Sequence, residues 1–206
     1  PRDEAAGERR REEILAAAAR VFADRGFPGT DVGEIAEGAG VAKGTVYRYF
    51  ESKQALFLAA VDRGLRLLRA ELDAIAGDER VDLLARATQG VRAYFGFFDE
   101  HPEFVELLIL ERAEFKDRVK PTYFEHRDAA LGPWKALLRR LIAAGVIRAV
   151  DVDRAADLMT NLLYGTLFTN HFNGRRLPLE EETQGLIDFC LNGLLAPGAK
   201  ASTQKE

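Results

Sequence analysis

An all-α fold is predicted by three features of the chain. Apolar residues recur three and four positions apart in every long segment, and no alternating strand pattern persists. Glycine and proline punctuate those segments at Gly26, Gly77, Pro102, Gly145 and Pro178. Between Thr30 and Lys53 two short amphipathic helices are joined by a tight Gly38-Ala39-Gly40 turn. Together these predict an N-terminal head of three helices that contains a helix-turn-helix, followed by a helical body of about six.

Pro1 to Gly7 is expected to be a loose arm. Helix one runs from about Glu8 to Arg25, with Ile14, Leu15, Ala18, Val21 and Phe22 inward, and Gly26 closes it. Thr30 or Asp31 can cap helix two, since a short side-chain oxygen accepts from the free N–H groups of an opening turn. Val32, Ile35, Ala36 and Ala39 form its apolar face. At least one of Gly38 and Gly40 must take a positive φ in the turn. Helix three starts near Ala42 or Lys43 and turns Val46, Tyr47 and Phe50 toward an apolar side. Ser52 caps helix four.

The outward face of helix three carries the chemistry. Lys43, Gly44, Thr45, Tyr47 and Arg48 occupy its first two turns, and no acidic side chain stands at its N-terminal end. Free N–H groups and the positive end of the helix dipole can therefore meet a phosphate. Glycine at 44 weakens the helix and makes sense where a backbone must come close to something. Thr45 can bond a phosphate or touch a thymine methyl, and Lys43 or Arg48 can reach a guanine edge. Lys53 places a cation in the first turn of helix four, where it opposes the dipole unless an anion is near.

The run Gly-Val-Ala-Lys-Gly-Thr-Val-Tyr-Arg-Tyr-Phe-Glu-Ser-Lys-Gln-Ala-Leu, from Gly40 to Leu56, resembles the DNA-binding signature of the TetR family of bacterial transcriptional regulators. The likeness begins earlier, at Ile14, Ala18, Phe22 and Gly26-Phe27, and continues through Thr30 and Ile35-Ala36. It covers about the first quarter of the chain; beyond that it is one of length and helical pattern. The resemblance implies a regulator, in the first instance a repressor, that binds a double-stranded operator through Thr30, Lys43, Thr45, Tyr47, Tyr49 and Lys53. It also implies a homodimer and a body that binds a small effector. On this reading residues 1–53 are the DNA-binding domain, 54–198 the effector-binding and dimerisation domain, and 199–206 a disordered tail.

The body follows in order. Helix four runs from Ser52 to about Ala76 with a stripe from Leu56 to Ile75 and ends at Gly77. Helix five starts shortly after Asp78, holds Val91, Tyr94, Phe95 and Phe98, and stops before His101-Pro102. Helix six opens at Pro102 and carries Phe104, Leu107, Leu108 and Phe115. The pattern from Asp117 to Gly145 makes helix seven, and Gly132-Pro133 predicts a kink or break in it. Helix eight opens at Asp151 or Val152 and reaches about Phe172. Helix nine runs from Pro178 to Ala196.

Composition narrows the classes. A chain of 206 residues can bury a sizeable core. There is no signal-peptide pattern and no apolar run of membrane-spanning length, and the lone Cys190 fits a reducing compartment, so a cytoplasmic protein is expected. The net charge is −4, so DNA affinity must come from local placement rather than overall charge. His101, His126 and His171 lack metal-ligand spacing, and nothing resembles a nucleophile with its base or a phosphate loop. No enzyme, metal or cofactor is expected.

For the dimer, Leu158, Leu162 and Gly165 on helix eight and Gly185, Leu186, Phe189 and Gly193 on helix nine are the candidates, because glycines let helix backbones approach. For the effector, Tyr94, Phe98, His126, Trp134 and Tyr164 are the candidate lining of a mainly apolar pocket suited to a hydrophobic or aromatic ligand. Two rival readings remain: a DNA-binding repressor with no effector, and a helical carrier or enzyme whose helix-turn-helix is incidental.

Overall fold

The structure is a computed structural model that describes residues 2–175 and 177–192. Among these the chain is helical, with no strand: α1 (Arg2–Gly29), α2 (Val32–Gly38), α3 (Lys43–Tyr49), α4 (Lys53–Gly77), α5 (Leu83–Glu100), α6 (Glu103–Glu114), α7 (Thr122–Ala143), α8 (Val152–Asn173) and α9 (Leu179–Asn192).

The caps are mostly those the residues predict. Asp31 caps α2 by accepting from the Gly33 N–H, and Asp151 caps α8 by accepting from Asp153 and Arg154. Ser52 Oγ accepts from the Ala55 N–H at 3.0 Å at the start of α4. Gly40 takes the positive φ of the turn, 64°. The Gly40 N–H then donates to Glu37 O and the Val41 N–H to Ala36 O, which closes α2 and redirects the chain into α3.

Two expectations are corrected, and a third, that Gly26 closes the first long helix, holds. The segment expected as a loose arm is helical from Arg2, and Gly7 in it lies near the Tyr49 hydroxyl; Glu4, Ala5 and Ala6 are good helix formers. A non-helical Gly26, at φ 71°, separates α1 proper from the short turn Phe27–Gly29. Of the kink or break expected at Gly132-Pro133, the break does not occur, and α7 runs through Pro133. Proline removes one intrahelical bond, that to the carbonyl of Ala129. Ala129, Gly132 and Pro133 are all exposed, so water reaches the freed carbonyl.

Two compact units pack separately: Pro1–Asp73 with Phe97–Leu131, and Ala74–Gly96 with Gly132–Glu206. Packing therefore groups the predicted head with most of α4, with α6 and with the start of α7. In this first unit Ile14, Leu15, Ala18, Phe22, Ile35, Val46, Leu56 and Phe57 are at most 1% exposed. Phe115, at the end of α6, joins the same core. Its ring lies 4.9 Å from that of Phe27 and 5.3 Å from that of Phe57, and Phe22 and Phe57 meet edge to face at 5.0 Å. Gly64 lets α6 approach α4: a Cβ placed there would stand 2.3 Å from the Phe104 ring. The buried Glu111 ties α6 to α7, accepting from Thr122 N at 3.0 Å and Thr122 Oγ1 at 2.7 Å, with Arg118 Nε 3.3 Å away.

In the second unit α5 and α7 meet where Trp134 lies over Gly90, with 2.3 Å between the ring and an added Cβ. Arg92 reaches α9 at Glu180 and Gln184, each at 3.2 Å. The buried Arg86 donates to Ala76 O at 3.2 Å and so covers the end of α4.

Candidate nucleic-acid interface

The small core of the head fixes which side of α3 is free. Val46 is 1% exposed and Phe50 6%, and these hold α3 against α1 and α2. The opposite line of the helix carries Gly44 and Arg48, four residues apart and both exposed. Lys43 and the 46%-exposed Tyr47 flank that line on one side, and the half-buried Thr45 lies on the other. Among the described residues nothing outside the helix's own backbone lies within 4 Å of a Cβ placed on Gly44, so its missing side chain answers no crowding there. The N-cap residue, Ala42, has no capping side chain, and the first turn holds no acid.

Two basic side chains are already engaged. Lys43 Nζ donates to Asp31 Oδ1 at 2.8 Å, and that oxygen also accepts from the Gly33 N–H at 2.7 Å. The Lys43 hydrogen bond, helped by the one from Gly33, holds the Asp31 carboxyl below its ordinary pKa, and the same pair holds the Lys43 ammonium above its own. Lys53 Nζ donates to Thr30 O at 2.7 Å and Pro28 O at 3.1 Å and sits 4.9 Å from the Phe27 ring centroid. The cation that opposed its own helix dipole is thus placed on the carbonyls that follow α1. Two of its three N–H groups are spent there, which leaves one for a phosphate. Arg48 has no hydrogen-bond or ion-pair partner among the described residues.

Thr30 differs most from expectation. It is only 4% exposed, and its hydroxyl donates to Gly26 O at 2.7 Å. Its side chain closes the α1–α2 corner. Tyr49 is half-buried, beside Gly7 of α1 and tilted against Phe50 at 6.5 Å. Asp31 entered the sequence reading only as a capping alternative. Its hold on Lys43 spans twelve residues and the turn, a distance at which no periodic signal exists.

The body candidates scatter between the units. Phe98 and His126 belong to the first, and Tyr94, Trp134 and Tyr164 to the second. Tyr94 and Phe98 are buried at 5% and 3%. His126 Nε2 lies 2.8 Å from Asp62 Oδ1, so this ring pins α7 to α4. Trp134 packs on Gly90, and Tyr164 lies 4.6 Å from Phe168, with burial holding its hydroxyl pKa above the ordinary value. On α8 and α9, Leu158, Gly165, Gly185 and Phe189 are exposed, Leu162 and Leu186 are half-buried, and Gly193 lies outside the described residues.

A three-helix head that turns a basic, tyrosine-bearing helix outward from a helix-turn-helix defines a DNA-binding regulator. Residues 14–60 match the family model described as bacterial regulatory proteins, tetR family. The HTH-type transcriptional repressor KstR2 of Mycobacterium tuberculosis is 32% identical over 199 residues, which are 92% of this chain and 94% of that protein. The HTH-type transcriptional activator FasR of Mycolicibacterium smegmatis is 28% identical over 94% of this chain and 84% of its own length. The chain belongs to the tetR family of bacterial regulatory proteins, and it is a transcriptional regulator, not an enzyme. Among solved structures, the fatty acid degradation regulator FadR from Bacillus halodurans shares the fold at TM-score 0.76 and 20% identity, over 89% of this chain and 95% of that one. The FadR of Bacillus subtilis, solved in complex with stearoyl-CoA, does so at 0.70 and 19%, over 89% and 99%. No helix of the described residues is long and apolar enough to cross a membrane.

Proposed function

We propose that this regulator is a dimeric repressor whose α3 reads an operator and whose body, residues 54–198, releases it on binding a largely apolar effector. The observation that carries the DNA half is the outer face of α3. Gly44 and Arg48 line it without internal partners, and Lys43, Thr45 and Tyr47 stand beside them. Lys43, Thr45 and Tyr47 are assigned to bases or the phosphates beside them, and Arg48 to either. Tyr49 and the third N–H of Lys53 are assigned to phosphates, and Thr30 contributes through its backbone alone. Thr45→Ala and Tyr47→Ala should each weaken or re-specify binding to DNA flanking the protein's own gene in a gel-shift assay. Unchanged affinity in both would remove α3 from the interface.

The dimer reading rests on α8 and α9. Leu158, Leu162, Gly165, Thr169 and Phe172 recur on one side of α8, with Leu158 60% and Phe172 67% exposed. Gly165 and Gly185 sit inside helices with nothing within 4 Å of an added Cβ. Each weakens its helix by up to ~1 kcal/mol without serving any packing among the described residues. A second copy laid on these faces supplies the missing reason. It would place two α3 helices about 34–36 Å apart, one turn of DNA. Leu158→Glu should shift the protein to monomer in sedimentation; a monomeric wild type would end the proposal.

For the effector, the apolar residues Tyr94, Trp134 and Tyr164 of the second unit favour an aliphatic or aromatic ligand over a sugar. Because the Bacillus subtilis FadR was solved with stearoyl-CoA, long-chain acyl thioesters are the first class to test. A thermal-shift series from acetyl- to stearoyl-CoA should show stabilisation that grows with chain length, by mass action on the bound state. Binding lowers operator affinity only by its differential affinity for the two states.

A further inference from the structure

Asp31 stands at an unusual point for an acid in a protein that must approach polyanionic DNA. It lies at the first turn of the helix-turn-helix, 63% exposed at its side chain, facing Lys43 at the opening of α3. One oxygen, Oδ1, does two jobs. It accepts the Gly33 N–H that starts α2, and it accepts the Lys43 Nζ at 2.8 Å. The capping job needs only an oxygen, and asparagine caps as well as aspartate does. The second job needs the charge. The cation at the head of the recognition helix is therefore neutralised inside the free protein by a group whose chemistry is that of a phosphate oxygen.

We propose that Asp31 is a built-in competitor for DNA: its carboxylate occupies the Lys43 ammonium in the free protein, and an operator phosphate or base edge must displace it. The inference rests on α3 being the reading helix. Affinity is then set below what the basic residues of α3 would reach if Lys43 stood free. The free energy of breaking the pair is subtracted from every complex in which Lys43 touches DNA, once per protomer. Removing the charge also removes a repulsion, since an operator bound at α3 would bring its phosphates close to Asp31, which faces Lys43 at the start of that helix. Both effects act in one direction, toward tighter binding. Only the first depends on Lys43, and that dependence distinguishes them.

The test measures binding of wild type, Asp31→Asn, Lys43→Met and the double variant, at one fixed ionic strength. The probe is a short duplex that the wild-type protein selects from the DNA flanking its own gene. Asp31→Asn should lower the melting temperature by no more than about 4 °C, the loss of one exposed ion pair in each protomer, and bind about 2- to 30-fold tighter for the two copies in a dimer, the range spanned by two exposed ion pairs. In the Lys43→Met background the same change should give a clearly smaller gain, and that non-additivity reports the pair. Equal or weaker binding by Asp31→Asn overturns the proposal, because Asp31 would then be positioning Lys43 rather than withholding it. An equal gain in both backgrounds overturns it as well, leaving mere charge repulsion. If wild type and Lys43→Met bind alike, Lys43 is no contact, and its assignment fails together with this inference. If the wild type selects no duplex at all, the DNA reading of α3 itself fails.

Discussion

Replacing Gly64 by alanine should destabilise the first unit, although helix propensity alone predicts the reverse. In an open helix interior Gly→Ala is worth about 1 kcal/mol of added stability. At Gly64 the new methyl would sit 2.3 Å from both Cδ1 and Cε1 of Phe104 and 2.7 Å from its Cγ. An ordinary carbon–carbon contact needs roughly 3.5–4 Å, so the ring or the helix must move by more than an ångström. Phe104 is 3% exposed and stacked on Phe97 at 5.7 Å and 15°, with His101 5.9 Å away, so it has little room to retreat. Overpacking of this kind costs about 1–3 kcal/mol, leaving a net loss of about 0–2 kcal/mol once the propensity gain is subtracted. For a chain of this size each kcal/mol moves the melting temperature by roughly 2–4 °C. Calorimetry on Gly64→Ala should therefore show a fall. Gly96→Ala on α5, where nothing lies within 4 Å of an added Cβ, should show a rise. Phe104→Leu combined with Gly64→Ala should lose less than the two single changes added, because the smaller side chain makes room. A Gly64→Ala protein that melts higher than wild type would refute the close approach of α4 and α6.

Three further outcomes follow from the packing. Phe115→Ala should cost about 2–3 kcal/mol in denaturant unfolding, somewhat under a fully buried Phe because Phe115 is half-exposed while touching Phe27 and Phe57. Glu111→Gln should cost about 1–3 kcal/mol, since the amide keeps one acceptor for Thr122 but turns a donor toward Arg118 or into the buried position of Oε2. Acid should act through carboxylates held below their ordinary pKa: Asp78, lowered to about 2 by its hydrogen bonds with Arg80, and Asp31, Asp128 and Asp153, lowered by their lysine partners. Their contribution is present above the unfolded carboxylate range near pH 4 and is lost as pH falls through the folded values. A melting temperature that stays level from pH 7 to about 5 and drops below about 4 is the expected profile.

Much of this protein was legible in the residues because the relevant signals are local. The helical period placed the helices, Ser52 and the pair Thr30-Asp31 announced caps, and Gly38-Ala39-Gly40 marked the turn; each needs contacts only within about five positions. The outward face of α3 followed in the same way, since burying Val46 and Phe50 leaves Gly44 and Arg48 outside, whereas Tyr47, which the pattern also set on the apolar side, is 46% exposed. The family signature lay in that same local stretch. What only the tertiary structure decided involves partners far apart in sequence. Lys53 reached back to Pro28 and Thr30, and His126 found Asp62 across 64 positions. Phe115, one apolar residue among many at the end of α6, entered the core of the head, and the exposed carbonyl beside Pro133 let α7 continue. A periodic pattern says which face of a helix is buried, but not which atoms of another helix meet it. That depends on the close approaches that glycines such as Gly64 and Gly90 allow, and these exist only once the helices are packed.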